Sequence, residues 1–115
     1  MFSAYVIVTV LTIAANAWAA GADFAKAKFV LGNAAELDLP PSWLPLLGAL
    51  KAAGAAGLLL GIFGDRFIGI AAAFGLVLFF IGAIAAHVRA RAFSKIMFPG
   101  TFLGLAIASL VLAIA

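Results

Sequence analysis

Four long apolar runs divide the chain, and most polar positions collect between them. The runs cover about residues 2–22, 44–64, 67–87 and 98–115; the first carries no charge over its whole length, and the second only Lys51. Each is close to the roughly 20 residues that a helix needs to cross a bilayer's hydrocarbon core. Open strands cannot cross lipid with their backbone groups unpaired, and the two-residue alternation expected of a barrel is weak, so each run is predicted to be a helix. The pattern predicts an all-α, integral membrane four-helix bundle, a single transmembrane domain over residues 1–115. The first run has small residues at Ala17 and Ala19, as at a signal-peptide cleavage site. No Lys or Arg precedes it, however, and it is longer than a signal core, so it is expected to remain as a helix.

The connections differ in character. Residues 24–38 form the one long link, in which Phe24, Ala27, Leu31 and Ala34 share a helical stripe while Lys26, Lys28 and Glu36 lie off it. That pattern predicts an amphipathic segment at the membrane surface. Pro40 and Pro41 end it; Ser42 is then the expected N-cap of the second long helix, with Trp43 at headgroup depth and Pro45 in the first turn, where a missing N–H is tolerated. Gly64, Asp65 and Arg66 leave room only for a tight turn, which makes the second and third runs antiparallel neighbours.

Composition strengthens the membrane assignment. The 115 residues are 68% hydrophobic and 10% charged, against about 25% charged in ordinary soluble domains. No cysteine is present, which excludes disulfides, thiolate metal sites and cysteine nucleophiles. The net charge of +3 resides in loops and is a topology signal rather than a nucleic-acid surface. Lys26, Lys28, Arg89, Arg91 and Lys95 lie in the first and third connections, against Arg66 alone in the second. By the positive-inside bias, both termini are expected outside.

Polar residues within the runs are the candidates for chemistry. Tyr5, Thr9, Thr12, Asn16 and Asp23 fall on one face of the first helix, which is expected to look into the bundle. Such side chains either hydrogen-bond neighbouring helices, at about 0.6 to 2 kcal/mol each, or line a ligand cavity. Lys51 lies about two turns into its helix, where a charge is costly. It either snorkels to the headgroups or forms an ion pair, or else faces a cavity. His87 is the only histidine and cannot build a metal site alone; beside Arg89 and Arg91 its ordinary place is the interface. Topology brings Asn16, Asp23, Lys51 and His87 toward one membrane side, and a polar vestibule built from these four is the ligand-binding site the sequence supports. Glycines 54, 57, 61 and 64, then 75 and 82, then Gly100 and Gly104 with Ala108, permit close helix approach. They are read first as packing within the bundle, with homo-oligomerisation as the alternative. No phosphate loop, dinucleotide motif, metal cluster or nucleophile elbow is present.

Trp43-Leu44-Pro45, then Gly48-Ala49-Leu50-Lys51-Ala52-Ala53-Gly54, and a third run closing in His87-Val88-Arg89-Ala90-Arg91 resemble the short DoxX-like membrane proteins of bacteria. The resemblance covers nearly the whole chain and implies a multi-pass bundle in the bacterial plasma membrane. The family takes its name from a subunit associated with thiosulfate:quinone oxidation. The leading functional reading is a membrane protein that binds a small apolar or amphipathic molecule such as a quinone or lipid, as accessory to a membrane redox partner, although no cofactor motif is evident here. Lys51 and His87 are the family-like positions. A second class is an enzyme using His87, Lys51 or Asp23 for proton transfer on a lipophilic substrate. A small multidrug exporter has the same length, but the acidic residue that such exporters carry within the first helix has no counterpart here, where Asn16 stands.

Overall fold

The computed structural model describes residues 2–115, and in them five α-helices and two short 3-10 turns account for the ordered structure, with no strand. They are α1 (Phe2–Phe24), α2 (Lys28–Glu36), α3 (Leu44–Phe63), α4 (Arg66–Arg89) and α5 (Met97–Ile114), with the turns at Pro41–Trp43 and Phe93–Lys95. Four helices are long and apolar enough to cross a membrane, namely α1, α3 with its preceding turn, α4 and α5. The molecule is an all-α helical bundle and a multi-pass membrane protein. Its longest dimension is 40 Å, about that of a bilayer with its headgroups.

The long helices form a ring in which α1 packs on α3, α3 on α4, α4 on α5 and α5 back on α1. Large apolar side chains such as Leu11, Leu60, Phe74, Leu78 and Val111 point outward, as lipid requires. Small or polar residues fill the inside: Thr9, Thr12, Ala73, Ala106 and Ser109 are buried, with Leu58, Leu76, Phe80 and Phe102 supplying bulk. This distribution follows from the solvent, because lipid tails give apolar side chains no reason to hide and packing selects small ones for the interior.

The polar face of α1 is the buried one, with Tyr5, Thr9, Thr12, Asn16 and Asp23 all inside. Thr12 Oγ1 lies 2.8 Å from the Val8 carbonyl and 2.7 Å from Ser109 Oγ on α5. A hydroxyl carries one proton, so when Thr12 donates to Val8 the Ser109 hydroxyl must donate to Thr12. That bond stitches α1 to α5. At the far end of the bundle from α2, Arg66 donates to the Ala113 carbonyl at 2.9 Å and stacks 4.2 Å from the Tyr5 ring. One guanidinium thus ties the start of α4 to the ends of α5 and α1, and satisfies a carbonyl left orphaned where α5 terminates.

Glycines divide into two sets. A Cβ on Gly54 would strike Leu76, one on Gly57 would strike Ala72, and one on Gly61 would strike the Gly69 backbone, so these three set the α3–α4 approach. Gly75, Gly82, Gly100 and Gly104 face open space. The packing expected of these last four within the bundle is therefore corrected, because no neighbouring helix comes close enough to any of them to require glycine; Gly75 and Gly82 border depressions instead. Ser42 also departs from expectation: the backbone already turns at Pro41–Trp43, where Trp43 N–H donates to the Pro40 carbonyl, and Ser42 caps nothing. Asp65 does cap, its carboxylate accepting from the Phe67 N–H at 2.9 Å.

At the α2 end, three helices stop in the same way. Lys26, Asp38 and Arg91 have φ of 50°, 60° and 57°. Each is followed by an N–H reaching five residues back, Ala27 to Ala22, Leu39 to Ala34 and Ala92 to His87. These are Schellman closures with a charged residue where glycine is usual. The left-handed backbone costs a side-chain-bearing residue about 1 kcal/mol or more, partly offset for Lys26 and Arg91 by the favourable interaction of a cation with a helix C-terminus.

Candidate functional site

A chamber of about 280 Å³ lies at the α2 end of the bundle. The C-terminal parts of α1 and α4 and the N-terminal parts of α3 and α5 wall it, and α2 contributes Phe29, Val30, Asn33 and Ala34. α2 sits there because Val30 and Ala34 bury against Leu44, with Leu31 and Leu47 packed around them. The amphipathic reading of this link therefore finds its apolar side, although Phe24, placed on that stripe by spacing, is exposed. An ion pair between Glu36 and Lys95, 2.8 Å long, joins the end of α2 to the α4–α5 connection. Both side chains are well exposed, so its contribution to stability is small.

Asp23, Lys51 and His87 all line this chamber. Lys51 Nζ lies 2.9 Å from Asp23 Oδ2, with the two side chains 15% and 5% exposed. Lys51 therefore does not snorkel away but reaches its partner on the neighbouring helix. Gly48 makes the reach short: a Cβ there would come 3.0 Å from the Asp23 Cβ and 3.2 Å from the Ala20 carbonyl. Lys51 Nζ also lies 5.5 Å from the Phe79 ring centroid, placing the cation over an aromatic face. One carboxylate and one ring hold the ammonium, and its remaining protons are available to a ligand.

His87 is buried at 7% exposure rather than interfacial. The reason is local: its Nδ1 lies 2.7 Å from the Ala83 carbonyl one turn back on α4, which folds the ring against the helix. A carbonyl only accepts, so Nδ1 carries a proton, and in the neutral tautomer with that arrangement Nε2 is the acceptor. The chamber thus combines an ammonium donor with an imidazole whose Nε2 is not engaged by the Ala83 carbonyl.

Asn16 does not belong to this wall. It is fully buried, and its Nδ2 donates to the Thr12 carbonyl at 2.9 Å. That bond holds the amide along α1, a turn deeper than Ala19, which does line the chamber. Of the four residues expected at the vestibule, Asp23, Lys51 and His87 line this chamber and Asn16 does not. Asn16 Oδ1 and Thr9 Oγ1 are buried without a protein partner.

Sequence reasoning missed the aromatic part of the wall. Trp18 of α1 stacks on Phe29 of α2 with centroids 5.6 Å apart, Phe98 of α5 lies 6.4 Å from both, and Phe98 stacks on Phe102 at 5.8 Å. The available signal is the position of Trp18 and Phe98 close to run ends, whereas the sequence reading places only Trp43 at headgroup depth. Among the described residues no group of three potential His, Cys, Asp or Glu ligands gathers for a metal ion.

Residues 7–109 match the model of the DoxX-like family. No curated protein and no solved structure matches the chain.

Proposed function

The chain belongs to the DoxX-like family, and from that premise we propose that it binds one small amphipathic molecule, a quinone or a lipid, with the polar head beside Lys51. The observation that carries this reading is the chamber itself, whose wall is aromatic and aliphatic apart from a few polar groups dominated by Asp23, Lys51 and His87. Ligand sites have this composition, in which apolar walls supply contact and a few placed polar groups fix orientation. A head-group oxygen would accept from Lys51, and a hydroxyl would donate to His87 Nε2. A quinone or quinol head meets both requirements, as does a lipid head bearing a carbonyl and a hydroxyl. The accessory role beside a membrane redox complex is drawn from the family resemblance alone.

Both tryptophans of the chain, Trp18 and Trp43, line the chamber, so intrinsic emission reports on its contents. A short-chain benzoquinone is expected to quench that emission saturably, and mass spectrometry of gently solubilised protein is expected to find a copurifying amphiphile. Lys51→Arg keeps the charge and a partner for Asp23. It replaces a compact ammonium with a planar fork, so quenching affinity should fall about tenfold while the bundle stays folded. Unchanged affinity in this variant removes Lys51 from the binding site.

We place the chamber at the cytoplasmic end of a bacterial plasma-membrane protein whose termini lie outside. Five of six loop cations support this orientation, since Lys26, Lys28, Arg89, Arg91 and Lys95 sit at the α2 end and Arg66 at the other. The cysteine-free chain makes labelling simple. In intact cells Lys28→Cys and Ser94→Cys should resist an impermeant thiol reagent, and Asp65→Cys should react; the opposite pattern inverts the orientation.

A further inference from the structure

At about 280 Å³ the chamber lies at the lower edge of the roughly 300 to 1,000 Å³ usual for ligand pockets. It accommodates a head group, and a long tail needs another place. A second depression, with apolar side chains only, runs along the seam of α3 and α4, lined by Leu50, Ala53, Ala72, Gly75, Leu78 and Phe79 among others. Phe79 is the shared element, because it lines both the chamber and the groove and carries Lys51 Nζ over its ring.

Resting on the head-group reading above, we infer that the ligand is a single-tailed amphiphile whose tail passes Phe79 and lies in the α3–α4 groove. Direction supports this. From Lys51, the groove continues along α3 through Ala53 and Gly54, and along α4 through Leu78, Gly75 and Ala72. Those residues step away from the α2 end toward the bundle's middle, over about 10 Å on α4 at 1.5 Å per residue. A head at Lys51 with a tail along that path has the orientation of any amphiphile in that leaflet. Gly75 keeps the groove open, since nothing lies within 4 Å of where its Cβ would be. The groove and the chamber are thus two parts of one site, one for each end of the same molecule.

The test uses two probes with the same benzoquinone ring, one carrying a ten-carbon chain and one only a methyl group, and the full chain in phosphatidylcholine nanodiscs. Binding is read from quenching of Trp18 and Trp43. Gly75→Leu fills the groove from a position with free space and a better helix former, so the variant should melt no lower than wild type. It should weaken the long-chain probe about tenfold and leave the methyl probe within roughly twofold, because the obstruction meets only the tail. Gly104→Leu, which also points into open space on α5, should change neither. Equal affinity of the long-chain probe for Gly75→Leu and wild type overturns the groove assignment and leaves the chamber reading standing. Equal weakening of both probes overturns a tail-specific role as well. A change of particle mass with unchanged affinities would make the groove a contact between copies of the chain, and failure of either probe to quench wild type would overturn both readings.

Discussion

Asp23→Ala is expected to destabilise the bundle by about 3 kcal/mol, because it leaves the largely buried Lys51 ammonium without its carboxylate. The reverse truncation, Lys51→Met, is expected to cost a similar amount. From the sequence, Lys51→Met looks harmless or even stabilising, since it removes a costly intramembrane charge. The 2.9 Å contact with a carboxylate that is 5% exposed reverses that expectation, because the cost moves to Asp23. The double variant Asp23→Ala/Lys51→Met removes both charges together and should recover much of the loss, as apolar replacements of buried pairs commonly do. Thermal melting of the four proteins in one detergent gives the coupling directly. Additive losses in the double variant would show that the pair is not a closed unit. Recovered stability with lost quinone quenching would separate the two roles of Lys51, holding Asp23 and holding a ligand.

Gly61→Val should be at least as damaging, at about 3 kcal/mol or more, for a reason without charge. The added Cβ would sit 2.5 Å from the Gly69 Cα and 2.9 Å from its nitrogen. Backbone cannot rotate aside as a side chain can. Residue 69 is already glycine, so no trimming of the neighbour relieves the clash. The two-residue link at Gly64 and Asp65 follows within a turn and limits how far α3 and α4 can separate. Gly100→Val is the matched control, because its Cβ meets nothing within 4 Å. A Gly61→Val protein that melts with wild type would mean that the helices do not approach this closely. Loss of the folded species with an unaffected Gly100→Val confirms the distinction.

These two experiments mark what a sequence can and cannot carry. The four crossing helices are legible because lipid imposes length and apolarity on each segment independently of the others. The inner face of α1 is legible for a similar reason: Tyr5, Thr9, Thr12, Asn16 and Asp23 keep helical spacing, and polar groups in a bilayer turn inward. The meeting of Asp23 with Lys51 is a different matter. It depends on Gly48 lying opposite Ala20 and Asp23, a register between helices that periodicity does not encode. Glycines illustrate the same limit, since Gly61 and Gly104 stand in equally regular stripes and only one has a neighbouring helix across from it. Depth along α1 sets Asn16 near the chamber, but the bond to the Thr12 carbonyl, which spacing does not encode, turns its amide along the helix. The aromatic wall of Trp18, Phe29 and Phe98 draws on three separate helices and has no linear signature.

The closing of the ring by α1 and α5 bears on how the protein is assembled. The inner face of α1 must wait in the membrane through the synthesis of α3 and α4 before α5 covers it. During that interval two of its side chains are already bonded within the same helix, Thr12 to the Val8 carbonyl and Asn16 to the Thr12 carbonyl. A nascent α1 therefore enters lipid with the Thr12 hydroxyl and one of the two Asn16 amide protons already bonded, and what it still offers at these positions is one amide proton and acceptor capacity. Ser109 brings the matching proton when α5 inserts. Insertion and closure are in this way separable events: the first is eased by bonds within one helix, and the second is recognised by a donor that arrives with α5.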